Sequence, residues 1–307
     1  MKVTLAKSAG FCYGVRRAVE LAQAQAAAGP VVMLGPVIHN DHVIRSLEER
    51  GALCAGSVEK VPPGACVIIR SHGEPKAVYE NLAEKGARLV DATCPNVARI
   101  HEIVRDAEER GRIPVIVGTP DHPEIAAIAG WCRHGIVVRD EKELEAWLSE
   151  DEKNKGKPLT FVSQTTSTRA VWENCIEKAK KECTNPEIFD TICSATAKRQ
   201  SEAQALARAS DAMIVIGDRR SSNTKRLTQL CRALCPKVLQ VESAQELEPG
   251  MFTGEERVGI TAGASTPGWI IKEVYDKMSD EIMEIEESFA ELLEKSIKTL
   301  NTGEKVT

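Results

Sequence analysis

Three stretches of this chain repeat one arrangement: a short strand-like run, a cysteine, then a helix-like run. They read Lys7-Ser8-Ala9-Gly10-Phe11-Cys12, Leu89-Val90-Asp91-Ala92-Thr93-Cys94 and Ile188-Phe189-Asp190-Thr191-Ile192-Cys193. The last two share Asp-x-x-Cys. Pro95 suits the first turn of a helix, where its missing N–H loses no bond. A polar helix of about five turns is expected after each cysteine. An apolar strand ending in glycine follows: Val31-Val32-Met33-Leu34-Gly35, Val115-Ile116-Val117-Gly118 and Met213-Ile214-Val215-Ile216-Gly217. The cysteine-to-glycine spacings are 23 (12 to 35), 24 (94 to 118) and 24 (193 to 217). Four positions past each glycine stands a polar residue: His39, His122 and Ser221. A further strand in each unit runs into a polar loop: Arg70-Ser71-His72-Gly73, Ser163-Gln164-Thr165-Thr166 and Thr261-Ala262-Gly263-Ala264-Ser265-Thr266-Pro267. A chain built this way must fold as copies of one supersecondary unit packed together.

Each strand is a short, unbroken apolar run, as in a parallel sheet covered on both faces, and strands alternate with helices. The expected fold is α/β: three pseudo-threefold-related units, each a small parallel sheet flanked by helices, around a central site. The units are expected over 13-93, 94-192 and 193-278, with 279-307 forming a C-terminal helix and tail. The strands feeding Cys94 and Cys193 follow the preceding unit's last helix, whereas the strand feeding Cys12 opens the chain. By analogy the N-terminal strand, within 1-12, completes the third unit's sheet. Ile282, Ile285, Phe289, Leu292, Leu293 and Leu300 keep a helical spacing after Ser279. Lys142 to Pro158 reads as a helix followed by a surface loop.

The net charge of −5 over 307 residues offers no basic surplus for nucleic acid. No opening segment resembles a signal peptide, and no apolar run approaches the ~20 residues of a membrane helix. A cytoplasmic protein with no membrane partner is expected. Its thiols then stay reduced, so the ten cysteines are metal ligands, catalytic groups or small buried hydrophobes. Cys54, Cys66, Cys132, Cys175 and Cys183 are read as buried packing residues. Cys231 and Cys235, four apart on one helix face, are read as core or groove packing, with a redox pair as the alternative.

Ligands of parallel sheets bind beyond the carboxyl ends of the strands, where all these loops lie. Packed around a threefold axis, the units bring Cys12, Cys94 and Cys193 to the centre. Three thiolates can bind zinc or an iron–sulfur cluster. Zinc usually takes closely spaced pairs, and a 4Fe-4S cluster usually takes four cysteines, so three leave one iron open. Buried cysteines at strand ends remain the plain alternative. The loops also carry His39, His72, His122, Thr165, Thr166, Ser221, Ser222, Asn223, Ser265 and Thr266, donors that suit a compact anion such as phosphate or diphosphate. Glu124, beside these donors, is either a proton donor or a first-turn helix cap.

Six motifs carry a resemblance. Ala9-Gly10-Phe11-Cys12-Tyr13-Gly14-Val15, Leu34-Gly35-Pro36-Val37-Ile38-His39-Asn40, Arg70-Ser71-His72-Gly73, Asp91-Ala92-Thr93-Cys94-Pro95, Ser163-Gln164-Thr165-Thr166 and Gly263-Ala264-Ser265-Thr266-Pro267 resemble, in order, the 4-hydroxy-3-methylbut-2-enyl diphosphate reductases of the non-mevalonate isoprenoid pathway. The resemblance implies one 4Fe-4S cluster per chain on Cys12, Cys94 and Cys193, making the central site an iron–sulfur site. It implies reductive dehydroxylation of an allylic diphosphate to isopentenyl and dimethylallyl diphosphate, using two electrons and two protons. It makes Glu124 the proton donor, and Thr165 a residue that places the substrate hydroxyl and relays protons. His39, His72, His122, Ser221, Ser222, Asn223 and Ser265 bind the diphosphate. Reduced ferredoxin or flavodoxin supplies the electrons. The competing readings are an iron–sulfur hydro-lyase and a non-catalytic cluster or anion-binding protein. Two positions depart from the family: Arg220 stands where asparagine is usual before Ser221-Ser222-Asn223, and Ser194 where an aromatic often follows the third cysteine. Arg220 is read either as a charge-assisted diphosphate contact or as pointing to solvent.

Overall fold

Val31 to Leu34, Val115 to Val117 and Ala212 to Ile216 are buried at every position, so each must have apolar cover on both faces of its sheet. The computed structural model, which describes residues 1–279, shows how that cover is supplied. Its strands are β1 (Lys2–Leu5), β2 (Val31–Leu34), β3 (Ala52–Ala55), β4 (Cys66–Ile69), β5 (Arg88–Asp91), β6 (Ile113–Val117), β7 (Ile136–Val138), β8 (Leu159–Ser163), β9 (Glu187–Ile188), β10 (Ala212–Ile216), β11 (Lys237–Val241) and β12 (Arg257–Ala262). They form three four-stranded sheets, ordered β3-β2-β4-β5, β7-β6-β8-β9 and β11-β10-β12-β1. Every pairing is parallel. One order thus recurs three times, and the last strand of each sheet leads into a cysteine.

The third sheet takes that last strand from the other end of the chain. β1 pairs with β12 from Lys2↔Arg257 to Leu5↔Ile260. The Lys2 N–H donates to the Glu256 carbonyl at 2.6 Å.

Because side chains alternate across a strand, successive residues enter opposite cores. Val31 and Met33 pack in one cluster with Ile44 and Leu47, while Val32 and Leu34 pack in another with Val67 and Leu82. Val115 and Val117 join Phe161 and Trp172, whereas Ile116 joins Ile100 and Val162. Ile214 and Ile216 join Ile260 and Ile270, whereas Met213 and Val215 join Ala203 and Leu227. A one-residue slip would exchange the two sets, so register is strongly specified.

Some details differ from the sequence reading. The helices after the cysteines run Tyr13–Ala28, Pro95–Glu109 and Ser194–Arg208, which is 16, 15 and 15 residues and a little over four turns. After the helix Glu141–Glu150 the chain runs along the surface as expected, but with a helical turn at Lys153–Gly156 that buries Asn154, whose Nδ2 donates to the Trp147 carbonyl at 2.8 Å. Cys54 is exposed on the outer strand β3, and Cys66 and Cys132 are half-buried. Cys175, Cys183, Cys231 and Cys235 are buried as expected. The expected C-terminal helix and tail lie, but for Ser279, outside the described residues. No helix among the described residues is long and apolar enough to cross a membrane.

Candidate active site

Cys12, Cys94 and Cys193 each occupy the position that opens a helix. Serine or aspartate there turns back to cap the first turn. None of the three cysteines does so. All three are half-buried free thiols lining one cavity. The fold brings them close by omitting side chains. A Cβ on Gly14 would stand 2.5 Å from Cys94 Sγ, so only glycine allows this helix so near the second cysteine. Gly10, at φ +99°, gives the turn into Phe11-Cys12 a conformation that L side chains resist.

Two further residues serve the cysteines. Asn96 Nδ2 donates to Cys193 Sγ at 3.2 Å, linking the second helix to the third cysteine. Arg199, 3% exposed, donates Nε to the Ser8 carbonyl at 3.0 Å and Nη2 to the Gly10 carbonyl at 2.7 Å. It therefore braces the loop into Cys12. Burial lowers its pKa from the usual value, opposed by Cys12 and Cys193. Burial also pushes the Cys94 thiol up, so its thiolate forms most readily against a bound cation.

The same cavity holds a cluster of imidazoles. His39, His72 and His122 come from the three loops identified above. One ring nitrogen from each lies within 4.8 Å of the others. Ring centroids are 4.9 Å apart for His39–His72, 5.3 Å for His72–His122 and 6.2 Å for His39–His122. Burial is the main cause that lowers all three pKa values. His72 lies well below the usual range, with His39 and His122 adding to the effect. His122 falls to about 4, with His39 next in effect. In His39 the drop is opposed by Asp218. Neutral imidazoles each keep one N–H to donate.

Around them are polar groups still in need of a partner. His72 Nδ1, both amide atoms of Asn223 and Ser265 Oγ are buried with no hydrogen-bond partner among the described residues. Buried polar groups left this way are destabilising unless a ligand completes them. Ser221 Oγ accepts from the Thr224 N–H at 3.4 Å, which leaves its own hydrogen to give. Ser222 Oγ lies 3.1 Å from Thr166 Oγ1 across two units. Thr266 does not join them: its hydroxyl donates to the Ile216 carbonyl at 3.0 Å.

Glu124, 2% exposed, lines the same cavity. Its carboxylate accepts from the Thr165 N–H at 2.6 Å and the Thr165 hydroxyl at 2.8 Å. Burial raises its pKa more than these bonds lower it. The capping role belongs to His122, whose Nδ1 accepts from the Glu124 N–H at 3.1 Å. The carboxyl of Glu124 is thus free of helix duty and is paired with Thr165.

Apart from Thr266, the cysteines, loop donors and Glu124 expected at the site from sequence line this one cavity. Asn96 and Arg199 were missed. Their partners lie 97 and about 190 positions away, and a mid-helix arginine reads as solvated.

The chain resembles known proteins over most of its length. A family model described as LytB protein matches residues 3–279. A 4-hydroxy-3-methylbut-2-enyl diphosphate reductase from Geobacter metallireducens is 41% identical over 281 residues, covering 91% of this chain and 98% of that protein. The protein of the same name from Caldanaerobacter subterraneus is 39% identical over 283 residues, covering 91% and 96%. A solved structure of (E)-4-hydroxy-3-methyl-but-2-enyl diphosphate reductase, the terminal enzyme of the non-mevalonate pathway, aligns with TM-score 0.67 at 38% identity over 91% of this chain and 99% of that one. The Plasmodium falciparum E-1-hydroxy-2-methyl-but-2-enyl-4-diphosphate reductase shares the fold, with TM-score 0.84 at 24% identity over 89% and 86%. With the repeat, the three cysteines and a family match spanning nearly all of its length, this chain belongs to the LytB protein family.

Proposed function

We propose that this chain reduces 4-hydroxy-3-methylbut-2-enyl diphosphate to isopentenyl and dimethylallyl diphosphate, with a 4Fe-4S cluster held by Cys12, Cys94 and Cys193. One observation carries the reading: three helix-opening cysteines, a three-histidine pocket and a buried carboxyl–hydroxyl pair share one cavity. The donor set fits the cluster, because the three sulfurs are free thiols lining one cavity and number one fewer than the usual four ligands. When bound, such a cluster supplies electrons singly and a Lewis-acid position for the substrate hydroxyl.

The chain's own groups do the rest. His39, His72 and His122, neutral while the site is empty, donate N–H bonds to the diphosphate, joined by Asn223 and the hydroxyls of Ser221, Ser222 and Ser265. The buried groups among them gain partners only then. Val15, Ile38 and Val97 line the cavity and keep it partly dry, which strengthens these polar contacts. Protonated Glu124 passes its hydrogen to Thr165 Oγ1, and Thr165 passes its own to the substrate hydroxyl. The hydroxyl leaves as water, while two electrons and the second proton complete the new C–H bond. Single electrons suit a small protein carrier such as reduced ferredoxin or flavodoxin.

The test is anaerobic purification followed by turnover. The protein should be brown, with about four irons per chain, and should form product only with a reduced one-electron dye. A colourless or zinc-loaded protein after reconstitution would reject the cluster. Loss of the hydroxyl as water without reductant would make the protein a hydro-lyase.

A further inference from the structure

Arg220 neither points to solvent alone nor enters the cavity. Asp218, 5% exposed at the end of β10, accepts from the Arg220 N–H at 2.7 Å, from Nε at 3.1 Å and from Nη2 at 2.6 Å. The guanidinium is thus pre-set by a buried carboxylate. Its Nη2 also donates to Asp41, the first residue of the helix Asp41–Glu48. Asp41 belongs to the first unit and lies two residues beyond His39. Both Asp218 and Arg220 are near enough to act on the proton affinity of His39.

Other contacts converge on the same seam. His42, next to Asp41, meets Trp269 of the third unit edge-on, with centroids 5.7 Å apart. Ser222 meets Thr166 of the second unit. The loop from Gly217 to Asn223 is where the third unit touches both others, beside the imidazole ring.

We propose that Arg220 is a positioning residue that bars the anion end of the cavity by tying the third unit to the first through Asp218 and Asp41. It acts on the diphosphate through the closed seam and the placement of His39, not by contact. The inference rests on the diphosphate reading of the cavity. Arg220 and Asp41 are 58% and 56% exposed, so the bar is weak enough to open on each cycle.

The charges allow a test by sign. Asp41 is a negative group close to an anion site. If it acted only through its field, Asp41→Asn would tighten anion binding. If it is half of the bar, the same change weakens binding. The probe is inorganic diphosphate, titrated calorimetrically into cluster-loaded protein under anaerobic conditions. Asp41→Asn should weaken binding about three- to fivefold, the upper size of an exposed ion pair. Arg220→Gln should weaken it at least as much, the double variant should add little, and Arg220→Lys should restore part. An unchanged or tighter Asp41→Asn would overturn the proposal.

Hydrogen exchange of the ligand-free protein is the second measurement. Arg220→Gln should speed exchange in residues 41–48, and Asp41→Asn in residues 218–223. If neither effect crosses the seam, the bar does not exist. Wild-type protein that fails to bind diphosphate would reject the anion site, while the exchange data would still decide the bar.

Discussion

Replacing Glu124 with glutamine should damage the reaction and spare the fold. The carboxyl is 2% exposed, with Thr165 as its partner at 2.6 Å and 2.8 Å. A glutamine of the same shape accepts the Thr165 N–H with its oxygen and donates its NH2 to the Thr165 hydroxyl, so no buried group is orphaned. Burial holds the wild-type pKa above its unfolded value. Such a group contributes stability below the unfolded pKa, and that contribution is lost as pH rises through the folded pKa. Each unit of the shift is worth about 1.4 kcal/mol. The glutamine variant escapes this loss, so its stability relative to wild type should improve between pH 5 and pH 8. Activity should move the other way. Removing a positioned proton donor costs about 10²–10⁴ in rate, or roughly 3–5 kcal/mol of barrier. The assays are urea unfolding at both pH values, iron content, and anaerobic turnover with a reduced dye. A variant with full iron that keeps more than about a tenth of wild-type turnover would refute the proton role. One that loses stability at the higher pH would refute the burial argument.

Gly14→Ala should cut the iron content sharply while circular dichroism stays native, because the new Cβ would collide with Cys94 Sγ 2.5 Å away. Retained iron would mean the first helix can shift freely. Binding of diphosphate should take up protons near neutral pH, since burial lowers the pKa of His39, His72 and His122 and a bound anion opposes that effect. Calorimetry in buffers of different ionisation enthalpy reads the uptake, and a zero slope would place the anion elsewhere. His101 is 4% exposed, stacked on Trp131 at 5.2 Å, and lowered by burial to about 4. Its contribution to stability is present above the unfolded value of 6.5 and is lost as pH falls through about 4, on the order of 3 kcal/mol. His101→Phe should flatten the acid side of a stability–pH curve, and an unchanged slope would assign that loss to other groups.

The sequence made the repeat legible because identical elements need identical punctuation: Asp-x-x-Cys into a helix, an apolar run into glycine. Local rules of that kind reach the cysteines, the imidazoles and Glu124. They do not reach contacts made by folding. Nothing around Asn96 announces a sulfur 97 residues away. Arg199, in the middle of a helix, could not be told from a solvated arginine until Ser8 and Gly10 were seen against it. Arg220 was marked as unusual by the motif it breaks, yet its partner Asp41 stands 179 residues earlier. Cys54 misled in the opposite sense: a cysteine is usually buried, but the outer strand β3 has no neighbour on one edge, and Cys54 is exposed there. Thr266 shows that a hydroxyl in the right loop can still be spent on backbone, here the Ile216 carbonyl.

The pairing of β1 with β12 sets a clock on biosynthesis. A ribosome that has just finished Leu5 must still add the residues up to Arg257 before that strand has its partner. At about 5–20 residues per second this takes roughly 10–50 s. During that interval the sheets that lead into Cys94 and Cys193 can already form, but the one leading into Cys12 cannot. The nascent chain then carries two ordered thiols and one that is still loose. On the proposed cluster reading, loading would be deferred to the end of translation, when the first strand docks and the third sulfur takes its place.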